Sequence, residues 1–96
     1  MNSTLEDFDK RVISCRKCPR LVKYATETKK YNKKNEFVNE KYWCKPVPSF
    51  GSLDSTLLIV GLAPGKHGAG RTGRPFTGDF AGEILYKALY ESGLSN

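Results

Sequence analysis

Leu57-Leu58-Ile59-Val60-Gly61 is the stretch that decides the fold class of this chain. It is a short apolar run, bounded by Asp54-Ser55 before it and by a glycine-rich stretch after it. A run of this length suits a strand buried on both faces, and such strands belong to parallel sheets covered by helices. Downstream, Ala81, Ile84, Leu85, Ala88 and Leu89 fall at helical spacing, and Gly93 is placed to close the helix. Strand, long loop and helix predict an α/β fold. One strand and its following helix cannot bury each other, and a parallel strand needs a crossover to a neighbour. Residues 1–96 therefore read as a partial domain, in which 51–96 supply the first parallel strand, a loop and a helix.

Upstream, Ser3 and Glu6 form a capping box ahead of Leu5, Phe8, Val12 and Ile13, which predicts a first helix over Ser3 to Ile13. Pro19 is suited to open a second helix carrying Leu21, Val22 and Ala25, so Cys15 and Cys18 sit in the turn between two helices. Seven lysines follow between Lys23 and Lys45, against Glu27, Glu36 and Glu40, with Tyr24, Tyr31, Phe37, Tyr42 and Trp43 interleaved. That stretch reads either as a solvated helix end with anchoring aromatics or as a surface that touches phosphate. Pro46 and Pro48 exclude helix and predict an extended segment leading into the core.

Composition narrows the class without choosing a function. Hydrophobic residues are 39% and charged residues 27% of 96, and no run is long enough to span a bilayer. No apolar leader follows Met1, so the expected location is cytoplasmic, with no membrane partner. The 16 Lys and Arg exceed the 10 Asp and Glu, and the resulting +6 favours a polyanion partner. The three cysteines, Cys15, Cys18 and Cys44, are an odd number and argue for metal or cluster ligation over a disulfide framework.

The loop from Gly61 to Asp79 carries the chemistry. It holds six of the nine glycines, together with Lys66, Arg71 and Arg74, and contains no acid before Asp79. Ligands of open parallel sheets bind at the carboxyl ends of strands, where this loop begins. A triphosphate-binding loop is excluded by spacing: Gly65-Lys66 would need glycine at Val60, and His67 stands where a magnesium-binding Ser or Thr belongs.

Gly61-Leu-Ala-Pro-Gly-Lys-His-Gly, followed by Arg71-Thr-Gly-Arg-Pro-Phe-Thr-Gly-Asp79, resembles the first active-site motif of the iron–sulfur uracil-DNA glycosylases of family 5 (type B). Cys15-Arg-Lys-Cys-Pro-Arg-Leu21, Tyr42-Trp43 and Lys45-Pro-Val-Pro-Ser-Phe-Gly51 extend the resemblance upstream. It implies the N-terminal portion of a three-layer α/β/α fold, a 4Fe–4S cluster held by four cysteines, and hydrolysis of the bond between uracil and deoxyribose in DNA. Some members also accept other deaminated bases. A monomer is expected for the full-length enzyme.

By that resemblance Asp79 is the catalytic residue, orienting water and stabilising the cationic sugar. Its plainer role is the N-cap of the helix that follows, and the helix N–H groups favour a carboxylate that stabilises charge over one that accepts a proton. Gly61, Leu62, Ala63, Pro64 and Gly65 would offer backbone groups to the base. Phe76 would stack on it, the alternative being a core residue beside Pro75. His67, the only histidine, would lie beside the substrate. Lys66, Arg71 and Arg74 would touch DNA phosphates or else be solvated loop charges. Family members commonly carry Asn where this chain has Gly70.

Cys15 and Cys18 would supply two cluster ligands, the remaining two being expected beyond residue 96, with Cys44 a buried spectator. So half a cluster site is expected here, and stable cluster binding by this chain alone is not. The alternative is a small zinc-stabilised nucleic-acid-binding module without catalysis, its zinc held by Cys15, Cys18, Cys44 and His67.

Overall fold

The computed structural model of the chain describes residues 4–95. Ser3, and with it the capping box expected for the first helix, lies outside them. Among the described residues four helices form: α1 (Thr4–Ser14), α2 (Pro19–Tyr31), α3 (Ala69–Thr72) and α4 (Phe80–Glu91), with a 3₁₀ turn at Asn35–Phe37 between α2 and α3.

Each helix has a local cause. In α1, Glu6 and Asp7 lie in the first turn and Arg11 in the last, complementing the helix dipole. Pro19 occupies the start of α2 and Lys29 and Lys30 its end, where the carbonyls favour cations. Asp79 is the N-cap of α4, its side chain accepting a hydrogen bond from the Gly82 amide at 3.0 Å. At the other end, the Gly93 amide donates to Tyr90 O and the Leu94 amide to Leu89 O, with Gly93 at φ +76. That pattern is a Schellman motif, and its left-handed position favours glycine.

The expected strand over Leu57 to Gly61 does not form, and among the described residues there is no strand at all. The run is apolar but uncovered: Leu58 is 83% exposed and Val60 79%. The reason lies in the hydrogen bonding. A strand exists only as part of a ladder, and the backbone of residues 57–61 has no partner among the described residues. Burial of such a run is worth about 1.5–3 kcal/mol per large side chain, and only when another layer covers it. The α/β class therefore comes from family membership, established below, while the observed elements are helical.

What core there is sits in the loop rather than between helices. Among the described residues Tyr42 and Ala69 are the buried hydrophobic ones, at 1% and 4% exposure. The Trp43 amide donates to Arg71 O and the Cys44 amide to Gly70 O, both at 2.9 Å, so residues 42–44 run along α3. Trp43 packs over Gly73, where a Cβ would stand 2.7 Å from the indole. Asp9 of α1 accepts from the amide and hydroxyl of Ser49, tying that helix to the proline segment. A radius of gyration of 14.7 Å exceeds the roughly 12.5 Å of a closed domain of this length, in keeping with the uncovered run.

Candidate active site

The turn before α4 places the first group of side chains. Thr72 Oγ1 donates to Thr77 O at 3.0 Å, Thr77 Oγ1 to Pro75 O at 3.0 Å, and Tyr86 Oη to Pro75 O at 2.9 Å. Held by these bonds, Phe76 adopts φ +52, a left-handed conformation that bulky residues avoid. The result is that its ring lies on Gly61, where a Cβ would stand 2.9 Å from the ring. Any other residue at 61 would push the ring away.

Asp79 is aimed by the same turn. One carboxylate oxygen caps α4, and the other faces Gly65 and Gly68, where a Cβ on Gly65 would stand 2.6 Å from it and one on Gly68 would collide outright. Gly61, Leu62, Ala63, Pro64, Gly65, Phe76 and Asp79 together line a cleft of about 470 Å³, a size suited to a small planar ligand.

His67 does not enter that cleft. It lines a second one, of about 280 Å³, with Lys34, Glu36, Glu83 and Asp79. Asp79 is thus the wall common to both. Nδ1 of His67 lies 2.8 Å from the Tyr42 hydroxyl, which also accepts the Lys34 amide at 3.1 Å. Burial pushes the imidazole below its ordinary value of 6.5, and Lys66, Lys34 and Arg71 act in the same direction.

The three basic residues of the loop part company. Arg71 turns inward: Nε donates to His67 O, Nη1 to Glu40 Oε1 at 2.6 Å and Nη2 to Gly78 O at 2.8 Å. Its guanidinium also stacks on Phe37 at 3.7 Å. Three of the five N–H groups of an arginine fork are taken up in this way. Arg74, by contrast, is exposed over Phe50 at 4.2 Å and Tyr86 at 5.3 Å. Lys66 lies over Tyr24 at 5.2 Å.

Cys15 and Cys18 are free and exposed in the turn joining α1 to α2. Cys18 is the N-cap of α2 but its side chain makes no capping bond, which leaves the sulfur available at the start of that helix. Cys44 differs: it is half-buried rather than the fully buried thiol expected, and burial pushes its thiol up against the pull of Lys29 and Lys33. The zinc set of Cys15, Cys18, Cys44 and His67 is not gathered: among the described residues no three His, Cys, Asp or Glu side chains stand as a metal site.

Tyr42, Glu40 and Thr72 hold the site together, yet nothing in their spacing marks them. Tyr42 stood among the interleaved aromatics, and Tyr42 and Thr72 lie in stretches that carry the family resemblance, but that gave neither of them a role. No helix among the described residues is long and apolar enough to cross a membrane.

Residues 48–96 match the family described as the Uracil DNA glycosylase superfamily. A type-5 uracil-DNA glycosylase of Thermus thermophilus is 50% identical over 91 residues, covering 95% of this chain and 41% of that protein. Its counterpart in Pyrobaculum aerophilum is 45% identical over 91 residues, 95% of this chain and 39% of that protein. That of Mycobacterium leprae is 47% identical over 93 residues, 97% of this chain and 40% of that protein. The chain spans about two fifths of the length of these relatives. No solved structure matches it significantly.

Proposed function

The chain belongs to the uracil DNA glycosylase superfamily, and on that premise we propose that it forms one wall of an active site that hydrolyses the N-glycosidic bond of uracil in DNA. The observation that carries this reading is the cleft in which the Phe76 ring lies on Gly61 while the Asp79 carboxylate faces Gly65 and Gly68. A base must be extruded from the helix to reach such a cleft, and there it is read by stacking and by backbone groups. Phe76 offers the stacking face, and residues 61–65 the backbone edge.

As the bond from C1′ to uracil breaks, its electron pair leaves with the base and the sugar becomes cationic. A fixed carboxylate beside that sugar stabilises it and orients the water whose oxygen bonds C1′, that water giving up one proton to solvent while the departing uracil anion takes one from it. Asp79 suits this role because the Gly82 amide holds it in place without neutralising its charge. Lys66 and Arg74 are assigned to DNA phosphates, positioning the strand without reading its sequence. Arg71 is assigned to the loop scaffold, since its fork is occupied internally.

Cys15 and Cys18 are proposed as two ligands of a 4Fe–4S cluster, supported by their exposure and by the uncapped Cys18 sulfur. When bound, such a cluster supplies a rigid link at the turn between α1 and α2 and takes no part in base removal. An intracellular setting with genomic DNA follows from this reading.

The test is a chimera in which this chain replaces the matching 91 residues of the Thermus thermophilus relative. Single-turnover release of uracil from an oligonucleotide carrying one uracil is expected. A folded chimera that releases none refutes the reading.

A further inference from the structure

The bond between Tyr42 and His67 has a direction that proton accounting settles. Tyr42 is 1% exposed, so no solvent serves its hydroxyl. That oxygen lies 3.1 Å from the Lys34 amide and 2.8 Å from Nδ1 of His67. The amide can only donate, and the phenol has one proton of its own to place. If Nδ1 also donated, two N–H groups would point at the oxygen and the phenol proton would have no acceptor. A buried donor left in that state costs about 1–3 kcal/mol. Donation from the phenol to Nδ1 satisfies every group.

We propose that Tyr42 is a positioning residue for this site: its hydroxyl, held by the Lys34 amide, fixes His67 as the uncharged Nε2–H tautomer, which presents one N–H donor to a substrate oxygen in the cleft beside Asp79. The identity of that oxygen as part of DNA rests on the glycosylase reading; the tautomer does not.

The arrangement has a chemical purpose. An imidazolium in the cleft that Asp79 also lines would offset the carboxylate charge on which stabilisation of the sugar depends. A neutral donor fixes an oxygen and leaves that charge in force. Burial and the nearby cations act the same way, Lys66, Lys34 and Arg71 opposing a positive ring, whereas the carboxylates of Asp79, Glu36 and Glu83, which line the cleft from the α4 side and from the 3₁₀ turn, act against them. Nδ1 is engaged by the phenol at 2.8 Å and His67 lines the cleft with Asp79, so Nε2 is the ring nitrogen left to meet a ligand there.

His67 is the only histidine, so imidazole nitrogen resonances report on it without assignment. In the parent chain at neutral pH, Nδ1 is expected unprotonated and Nε2 protonated. In Tyr42→Phe, which removes the hydroxyl and keeps the ring, the two resonances should draw together and the titration midpoint should rise. An Nδ1–H tautomer in the parent overturns the proposal, as does a ring that titrates like free histidine there, or a Tyr42→Phe variant with unchanged resonances and midpoint.

The donor role is read in the chimera. His67→Gln, whose amide nitrogen reaches about as far as Nε2, should retain uracil release, and His67→Asn should lose about tenfold or more, the equivalent of one hydrogen bond. Tyr42→Phe should lower kcat more than it changes KM and move the acid limb of the pH profile upward. Equal activity of the Gln and Asn variants overturns the donor role. A parent chimera that releases no uracil refutes the glycosylase reading, while the nitrogen resonances still decide the tautomer.

Discussion

Replacing Asp79 separates two jobs that one carboxylate performs. Its oxygen accepts the Gly82 amide at 3.0 Å and starts α4. Loss of such a cap costs about 1 kcal/mol, within a range of about 0.5–2, or a factor of about five in the folding equilibrium. The negative charge, on the other hand, is proposed to stabilise the sugar, and removal of one preorganised stabilising group costs about 10²–10³ in rate. Asparagine keeps a capping oxygen and drops the charge; alanine drops both. In the chimera, Asp79→Asn should therefore unfold at the parent's urea concentration yet release uracil about 10²–10³ times more slowly. Asp79→Ala should lose both, with a urea midpoint displaced by about 1 kcal/mol of stability. Urea titration followed by helical circular dichroism, beside single-turnover release, gives the two readings. If Asp79→Asn melts as early as Asp79→Ala, the cap argument is wrong. If Asp79→Asn releases uracil within about threefold of the parent, the charge is not what this site uses.

Gly61→Ala should displace the Phe76 ring, because the new Cβ would stand 2.9 Å from it; uracil release should fall by about tenfold, in line with about 1–3 kcal/mol of overpacking, and an unchanged rate would remove Phe76 from the base site. Arg74→Ala should reduce the salt dependence of DNA binding by about one phosphate contact. Arg71→Lys should leave that slope alone and instead lower stability by about 1–3 kcal/mol, through the lost internal bonds of the fork; a changed slope would return Arg71 to the DNA surface. With an alkylating reagent under non-denaturing conditions, Cys15 and Cys18 should react about tenfold or more faster than Cys44, whose thiol is pushed up by burial; three equal rates would show that Cys44 is not shielded. His67 sits below its ordinary value of 6.5 in the folded chain, so the unfolded state takes up its proton first as pH falls. Stability from this group is therefore full above about 6.5 and declines as pH drops toward the folded value. Urea midpoints that stay level across that window would refute the shift.

Helices α1, α2 and α4 were legible because their causes are local, whereas α3 lies inside the stretch read as a loop. Pro19 at the start of α2, Asp79 as the cap of α4 and Gly93 just past its end all act within a turn of the residues they organise. The family was legible for a similar reason, since the glycosylase motif is a continuous stretch of chain. Less of the site could be read. Tyr42 meets His67 across 25 residues and Glu40 meets Arg71 across 31, and no spacing rule links positions that far apart. Arg71 and Arg74 look alike in the loop, but one is an internal clamp and the other lies exposed over Phe50.

Sequence by itself determined where α2 begins, where α4 begins and ends, and which family the chain belongs to, because helix caps and motif residues are set within a few positions. Tertiary structure decided the rest: that Leu57 to Gly61 stands uncovered instead of forming a strand, that Phe76 takes a left-handed conformation over Gly61, and that Asp79 divides two clefts with His67 in the second. A ladder, a close approach and a buried hydroxyl's partner each depend on groups brought together from distant parts of the chain, and only folding brings them together.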